Sequence, residues 1–212
     1  MGDAAMRSHR EAMVDRQLVA RGISDKRVLA AMREIPRHRF VPASRLSLAY
    51  SDRPVPIGSG QTISQPYIVA IMSSLLSELE EGSKVLEIGS GSGYQTAVLV
   101  HMGLEVHAVE ILSDLAEASM ARLEKLELAP ASLRVANGQD GLPEHAPYDA
   151  IIAAACAKRM PVAWSQQIAS RGTIVAPMGR WRGQRLVKWD EKDGALHRSD
   201  VCNVRFVPLV RG

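Results

Sequence analysis

The chain has 212 residues, of which 46% are hydrophobic and 23% charged, a balance typical of a soluble globular protein whose length suits one α/β domain with a modest extension. No apolar run approaches the ~20 residues of a membrane span and the N-terminus lacks the apolar core of a signal peptide, so we expect a cytoplasmic protein without a membrane partner. Its two cysteines, Cys156 and Cys202, have neither a metal-binding spacing nor a disulfide framework, which predicts no metal site and a reducing compartment.

The net charge of +3 is unevenly spread, at +5 over residues 1–45, −6 over 46–179 and +4 over 180–212. Basic ends could favour an anionic substrate or a nucleic acid. No basic run with interleaved aromatics occurs, and aromatic residues are only 4% of the chain. We therefore expect an ordinary solvated surface and no nucleic-acid partner.

Helical spacing of apolar residues dominates the first fifty positions. Residues 1–12 look like an unstructured start. Apolar residues then recur at helical spacing, with a break at Gly22. Pro36 ends the second helical stretch because proline cannot continue it. These patterns predict a small helical layer over residues 13–50.

Residues 50–67 are rich in glycine and proline and polar at their centre, which predicts a long structureless loop. Loops of this length in a compact domain are usually functional. Thr62, Ser64 and Gln65 offer neutral hydrogen-bonding groups and no strong acid or base. Ser64 and Gln65 followed by proline are also an ordinary helix start, and this structural role is compatible with a functional one.

An apolar run over residues 84–88 ends in alternating glycines and is followed by a helical pattern, which predicts a strand, a tight loop and a helix. Glycines let the backbone approach a ligand, and the N–H groups of the next helix face it. The third glycine, Gly93, comes one residue too early for a dinucleotide-binding loop. A second apolar strand, residues 104–110, ends in Glu110, where an acid can bind ribose hydroxyls. Loop and acid predict an adenosine-containing cofactor, either a nicotinamide dinucleotide or S-adenosylmethionine; a glycine turn without a ligand is the plainer alternative.

Helices and strands alternate through the rest of the chain, and the last two strands have the character of an antiparallel close. The predicted elements are a helix over 113–126, strands over 133–137 and 148–155, a helix over 162–169, and strands over 172–179, 185–189 and 201–209.

Several stretches resemble the protein-L-isoaspartate O-methyltransferases, a family of the Rossmann-like S-adenosylmethionine-dependent methyltransferases. They are residues 17–42, 56–66, 85–95 and 205–209, within a likeness that runs from Met13 to Leu209. The resemblance implies an α/β fold with a Rossmann-like doubly wound, mostly parallel sheet, an antiparallel closing strand and an N-terminal helical layer. It implies one domain, 1–212, made of a helical layer and substrate loop, 13–66, and a Rossmann-like core, 67–212.

The resemblance also implies an activity, the transfer of a methyl group from S-adenosyl-L-methionine to the free α-carboxylate of isoaspartyl residues in damaged proteins. Members usually act as monomers. A carboxylate with a pKa near 4 is already ionised at neutral pH, so the site needs no catalytic base. By the same resemblance Ser64 is the catalytic residue, with Thr62 and Gln65 beside it in the substrate pocket. The implied cofactor-binding residues are Glu87, Gly89, Ser90, Gly91, Ser92, Gly93, Glu110, Asn137 and Gly138.

Asn137 departs from the family, which usually has an aspartate near the adenine; we expect its amide oxygen to accept from the adenine amino group. The stretch after the last strand is short, so we expect any closing segment there to be reduced. Among rival functions, Tyr94 disfavours a dehydrogenase, since a dinucleotide loop has a small residue there. Residues 153–156 lack the Asn/Asp-Pro-Pro-aromatic motif of many nucleic-acid methyltransferases. A degenerate cofactor-binding module without activity has only Asn137 in its support.

Overall fold

The structure is a computed structural model that describes residues 3–180 and 183–210; residues 1, 2, 181, 182, 211 and 212 of the predicted domain lie outside the described residues. The α-helices are α1 (Asp3–Met13), α2 (Lys26–Glu34), α3 (Pro66–Ser74), α4 (Tyr94–His101), α5 (Ser113–Lys125) and α6 (Val162–Gln167). A π-helical turn, Val14–Leu18, and 3-10 turns at Val19–Arg21, Arg37–Phe40, Ala43–Leu48 and Pro143–His145 connect them. The strands are β1 (Val55–Gly58), β2 (Gln61–Ile63), β3 (Lys84–Ile88), β4 (Glu105–Glu110), β5 (Ser132–Val135), β6 (Tyr148–Ala153), β7 (Ile168–Met178), β8 (Gln184–Lys192) and β9 (Ala195–Val204).

The N-terminal helical layer starts earlier than predicted. Residues 3–13 form α1 where an unstructured start was expected. Met6 and Met13, two helical turns apart, are 4% and 1% exposed and belong to the core, so burial of this apolar face stabilises the helix. Helix α2 ends at Glu34 because the following proline holds Ile35 in an extended conformation, with ψ at 122°.

The predicted structureless loop, residues 50–67, contains a β-hairpin instead. Strands β1 and β2 pair antiparallel, with Val55 opposite Ile63. Both of these side chains are almost fully buried, and such a cross-strand apolar pair stabilises the hairpin. Ser59 and Gly60 have positive φ values of 49° and 71°, as a tight hairpin turn requires. Ser64 and Gln65, which follow the hairpin, therefore lie between strand β2 and helix α3.

A seven-stranded sheet forms the centre of the described residues, in the order β5-β4-β3-β6-β7-β8-β9. Strands β3 to β7 are parallel, whereas β8 and β9 are antiparallel to their neighbours. This arrangement confirms the predicted α/β, mostly parallel sheet with an antiparallel close. The strand order reverses between β3 and β6, and the carboxyl ends of strands at such a point form the usual ligand crevice of open α/β sheets.

The last predicted strand, 201–209, is displaced in the structure. Strand β9 already starts at Ala195 and ends at Val204. Residues 207–210, which we call the closing segment, turn back to the end of β6, where Val207 O accepts from Cys156 N and Leu209 N donates to Cys156 O, both at 2.8 Å. The short stretch expected after the last predicted strand consists of residues 210–212, of which 211 and 212 lie outside the described residues. None of the described helices is both long and apolar enough to cross a membrane.

Candidate active site

The predicted glycine loop joins β3 to α4. Gly89, Gly91 and Gly93 have φ values of 83°, 52° and 85°, which only glycine adopts readily. The loop is tied to β4 by a 2.8 Å hydrogen bond from Gly89 N to Val109 O. It is therefore a tight, pre-formed turn at the carboxyl edge of the sheet.

A cavity lies against this loop at the carboxyl ends of β3, β4 and β6, and we call it the loop cavity. Six of the predicted cofactor-binding residues line it: Gly89, Ser90, Gly91, Ser92, Glu110 and Gly138. Residues that sequence reasoning missed also line it, namely Tyr94, Gln95, Ala154, Ala155 and residues 207–210. The run of small residues after β6 is the sequence pattern that could have predicted that Ala154 and Ala155 line a cavity.

Glu110 holds the glycine loop to the end of β4. The residue is 6% exposed. Oε2 accepts a hydrogen bond from Gly91 N at 2.9 Å, and Oε1 accepts from Ile111 N at 2.9 Å and Leu112 N at 3.1 Å. A carboxylate oxygen has two lone pairs, so Oε2 can accept one further donor, such as a ribose hydroxyl.

Ser90 supplies an independent sign that the loop cavity takes a polar ligand. Its residue is 4% exposed, and its hydroxyl oxygen is buried without a hydrogen-bond partner in the described structure. A buried unpaired hydroxyl is costly, and this one belongs to a residue that lines the cavity. The loop, the Ser90 hydroxyl and the Glu110 acceptor together fit a cofactor with a polar head and a ribose.

Gly93 lies outside the lining of the loop cavity, although it was expected to bind cofactor. A side chain at this position would place its Cβ 3.1 Å from Leu123 Cδ1 and 3.3 Å from Ser119 Cβ. The third glycine is therefore required by the close packing of α5 against the loop.

Glu87 is likewise behind the cavity and not in its lining. The side chain is 0% exposed; Oε2 accepts from Thr96 Oγ1 at 2.6 Å, and Oε1 has no partner. Burial raises the pKa of Glu87 to about 8; the Thr96 hydrogen bond opposes this rise and the nearby charge of Glu110 adds to it. Glu87 is thus a neutral acid at pH 7 that supports the loop from beneath.

This raised pKa predicts how Glu87→Gln changes stability with pH. In the folded protein Glu87 keeps its proton up to about pH 8, whereas an unfolded glutamate loses it near ~4.3. The folded state therefore binds more protons between these values, and this residue's contribution to stability falls as pH rises. We expect the free energy of unfolding of the variant, relative to wild type, to rise by about 2 kcal/mol or more from pH 5 to pH 8. Urea unfolding at both pH values measures it, and a difference independent of pH would contradict the prediction.

Asn137 and Gly138 differ in their position relative to the loop cavity. Gly138 lines the loop cavity, and a Cβ there would lie 2.5 Å from Ile88 Cγ2, so the backbone must pass close to β3. The Asn137 side chain lies outside that lining: Oδ1 accepts from Gln139 N and Nδ2 donates to Asp140 Oδ2, both at 3.1 Å. The oxygen that was expected to meet adenine therefore stabilises its own turn.

A second cavity, which we call the hairpin groove, runs between the end of the hairpin and the start of the closing segment. Thr62, Ser64 and Gln65, the predicted substrate residues, all line it. Thr62 and Ser64 line the loop cavity as well, as do Val207 and Pro208. The two cavities therefore meet at the Ser64 residue, which is half-buried.

The polar groups of the groove suit an anionic ligand. Its described lining includes one charged residue, Arg205, and no carboxylate. The Gln65 amide is oriented by Asp52, whose Oδ1 accepts from Gln65 Nε2 at 2.7 Å. Arg21 holds Asp52 in turn through a 2.9 Å ion pair. The remaining Gln65 acceptor, Oε1, is available to a substrate N–H group.

The sequence is similar to those of known methyltransferases, in agreement with a cofactor site at the glycine loop. Residues 8–212 match the family described as protein-L-isoaspartate(D-aspartate) O-methyltransferase. The chain is 47% identical over 200 residues to the protein-L-isoaspartate O-methyltransferase of Gloeobacter violaceus, covering 94% of this chain and 97% of that one. It is 46% identical over 204 residues to the protein of the same name from Methanoculleus marisnigri, covering 96% and 92%.

Solved structures show the same relationship. A protein-L-isoaspartate O-methyltransferase superposes with a TM-score of 0.85 at 28% identity, and the match covers 94% of this chain and 65% of that one. A Plasmodium falciparum protein assigned to the same activity, solved with S-adenosyl-L-homocysteine, superposes at 0.82 with 26% identity and covers 98% and 99%. These matches confirm the predicted Rossmann-like methyltransferase fold. The chain belongs to the protein-L-isoaspartate(D-aspartate) O-methyltransferase family.

Proposed function

We propose that this enzyme moves a methyl group from S-adenosyl-L-methionine to the free α-carboxylate of L-isoaspartyl residues in damaged proteins and peptides. The observation that carries the proposal is the meeting of the loop cavity and the hairpin groove at Thr62 and Ser64. A methyl donor in the first and a carboxylate in the second would be adjacent there. Methylation of an isoaspartyl carboxylate initiates repair, because the ester can close to a succinimide.

The cofactor-binding role falls to residues around the glycine loop. When bound, S-adenosyl-L-methionine supplies an electrophilic methyl group on a sulfonium. We propose that the Ser90 hydroxyl and the backbone of Gly89–Ser92 bind its polar end, and that Glu110 accepts from the ribose. The buried, unpartnered Ser90 oxygen supports the first assignment, and the free acceptor capacity of Glu110 supports the second. For Glu87, Gly93 and Asn137 we propose supporting roles, since they lie outside the cavity lining.

Ser64 is proposed as the residue that orients the substrate carboxylate. The nucleophile is ionised at neutral pH, so the enzyme must remove its water and hold one oxygen in line with the methyl group. A neutral hydroxyl can donate to the other oxygen without repelling the anion. Thr62 and the Gln65 acceptor would bind neighbouring polar groups of the peptide. No proton transfer from a protein base is needed in this scheme.

We further propose that the enzyme acts as a monomer in the cytoplasm, without a nucleic-acid, membrane or metal partner. The resemblance to the family supports the monomer, since its members usually act as monomers. We also propose the division of one domain, 1–212, into 13–66 and 67–212. In support of that division, the hairpin forms a two-stranded sheet separate from the seven-stranded one.

The decisive assay incubates the enzyme with methyl-labelled S-adenosyl-L-methionine and an isoaspartyl peptide. We expect base-labile methyl incorporation, because the product is an ester. The same peptide with a normal aspartyl residue is the matched control and should stay unlabelled, since its free side-chain carboxylate is placed differently on the backbone. Equal labelling of both peptides, or of neither, would refute the proposed substrate.

A further inference from the structure

Arg37 is a fully buried cation directly behind Ser64. Its side chain is 0% exposed. Nε donates to Ala49 O at 2.8 Å, and Nη2 donates to Ser64 O at 2.7 Å. The guanidinium carbon lies 4.7 Å from the centre of the Tyr94 ring. One arginine therefore contacts a residue of the groove and a residue of the loop cavity.

The charge of Arg37 has no acidic counterpart in the part of the chain that the structure describes. No ion pair joins it to a carboxylate, and Nη1 is buried without any hydrogen-bond partner. Burial lowers the pKa of Arg37 to about 10, so it remains charged at pH 7. An unpaired buried charge is expensive, and buried carbonyls alone could be satisfied by neutral donors.

The groups that face Arg37 leave its charge uncompensated at neutral pH. Burial raises the pKa of Tyr94 to about 12 and that of Tyr50 above its usual value, so both phenols are neutral. His38 reaches Tyr50 through a 2.7 Å contact between Nδ1 and Oη. Arg10 opposes the rise in the pKa of both phenols, and it is itself a cation. A positive potential therefore extends from Arg37 toward Ser64.

We infer that Arg37 is a positioning residue for the methyl-accepting carboxylate: it fixes Ser64 through the main-chain carbonyl, and its charge favours an anion in the adjoining groove. The inference rests on the proposed function of Ser64. A direct guanidinium–carboxylate pair would occupy the oxygens of the nucleophile. A cation behind Ser64 attracts the substrate carboxylate, while one carboxylate oxygen remains free for the Ser64 hydroxyl and the other for the methyl group.

The same charge should act oppositely on the cofactor. S-adenosyl-L-methionine carries a positive sulfonium, whereas S-adenosyl-L-homocysteine has a neutral sulfur. A neutral residue in place of Arg37 removes repulsion from the first ligand only. We expect Arg37→Met to tighten S-adenosyl-L-methionine relative to S-adenosyl-L-homocysteine by about threefold to tenfold, and to raise the KM of an isoaspartyl peptide by about tenfold.

Titration calorimetry with both ligands measures that ratio without any reaction. Arg27→Met is a matched control, because Arg27 also donates to main-chain carbonyls, at 2.6 Å to Ser77 O and 2.8 Å to Leu79 O, but lines neither cavity. It should lower thermal stability and leave the ligand ratio and peptide KM unchanged. A purely structural role for Arg37 would shift both ligands equally, as loss of fold would.

Arg37→Lys carries the test if Arg37→Met does not fold. A buried lysine loses its proton more readily than arginine, so its ligand ratio should match wild type at pH 6 and shift in favour of S-adenosyl-L-methionine by about threefold to tenfold at pH 9. Wild type is measured in parallel at both pH values, so that pH effects unrelated to residue 37 cancel in the comparison. A ratio equal to wild type in every variant and at every pH would overturn the inference. Absence of methyl transfer to the peptide by wild type would instead refute the proposed function, and the ligand ratio would still decide the role of the charge.

Discussion

Glu110→Ala is expected to weaken S-adenosyl-L-homocysteine binding by about 100-fold or more. The substitution removes the acceptor for a ribose hydroxyl and also releases Gly91 N, Ile111 N and Leu112 N, which the carboxylate now holds. Hydrogen bonds to a charged acceptor contribute about 1.5–3 kcal/mol each, and ~2.7 kcal/mol is already 100-fold in affinity. The affinity therefore falls for two reasons: the ribose loses its acceptor, and the glycine loop loses the hydrogen bond that holds it.

Calorimetry on three proteins separates these contributions. Glu110→Gln keeps the shape and one acceptor oxygen but turns an NH2 group toward backbone donors, so its affinity should lie between wild type and Glu110→Ala. Glu105→Ala is the matched control from the opposite end of β4, where the carboxylate contacts His107 at 2.9 Å; it should bind as wild type does. Wild-type affinity in Glu110→Ala would mean that neither the ribose nor the loop depends on this residue.

Ser64→Ala should lower kcat/KM for an isoaspartyl peptide by about 10- to 150-fold. The hydroxyl is proposed to donate to the substrate carboxylate, and a hydrogen bond to a charged group contributes about 1.5–3 kcal/mol. The main-chain carbonyl that accepts from Arg37 is unaffected, so the hairpin end should keep its position. Cofactor affinity should accordingly change by less than about twofold.

Initial rates at varied peptide concentration test this prediction, with S-adenosyl-L-homocysteine affinity measured on the same samples. Ser165→Ala is the matched control, since its hydroxyl donates to Val162 O at 2.7 Å and lines neither cavity. It should retain the wild-type rate. If Ser64→Ala is equally active, the hydroxyl takes no part in orienting the carboxylate.

Local sequence patterns correctly predicted the helices, strands and turns whose conformation depends on residues adjacent in sequence. The strand, loop and helix around residues 84–94 formed as expected, because glycines at three positions permit the positive φ values of the loop. Strand β4 ends at Glu110, as its apolar run indicated. The apolar residues of β6 from Ala150 to Ala153 mark a strand covered on both faces, and it occupies the centre of the sheet.

The errors concern elements stabilised by burial or strand pairing that the apolar pattern alone did not show. Helix α1 is stabilised by burial of Met6 and Met13 in the core, and the hairpin depends on the pairing of Val55 with Ile63. The burial of α1 depends on residues elsewhere in the chain, whereas the hairpin pairs residues only eight positions apart and was missed within one window of sequence. Strand β9 starts at Ala195 because β8 provides a long antiparallel partner, with Lys192 opposite Ala195.

By itself the sequence predicted an adenosine-containing cofactor, because the glycine loop and the acid after the second strand are local motifs. The family came from the resemblance carried by residues 17–42, 56–66, 85–95 and 205–209. The tertiary structure alone decided which residues line the loop cavity. Glu87 and Gly93 lie within the glycine-loop stretch and Asn137 follows β5, yet all three lie outside that lining and hydrogen-bond or pack against neighbouring residues. Arg37 contacts Ser64, 27 positions away, because the N-terminal layer packs against the hairpin. A motif constrains backbone conformation within a few residues, whereas the direction and charge environment of a side chain depend on elements that only folding brings together.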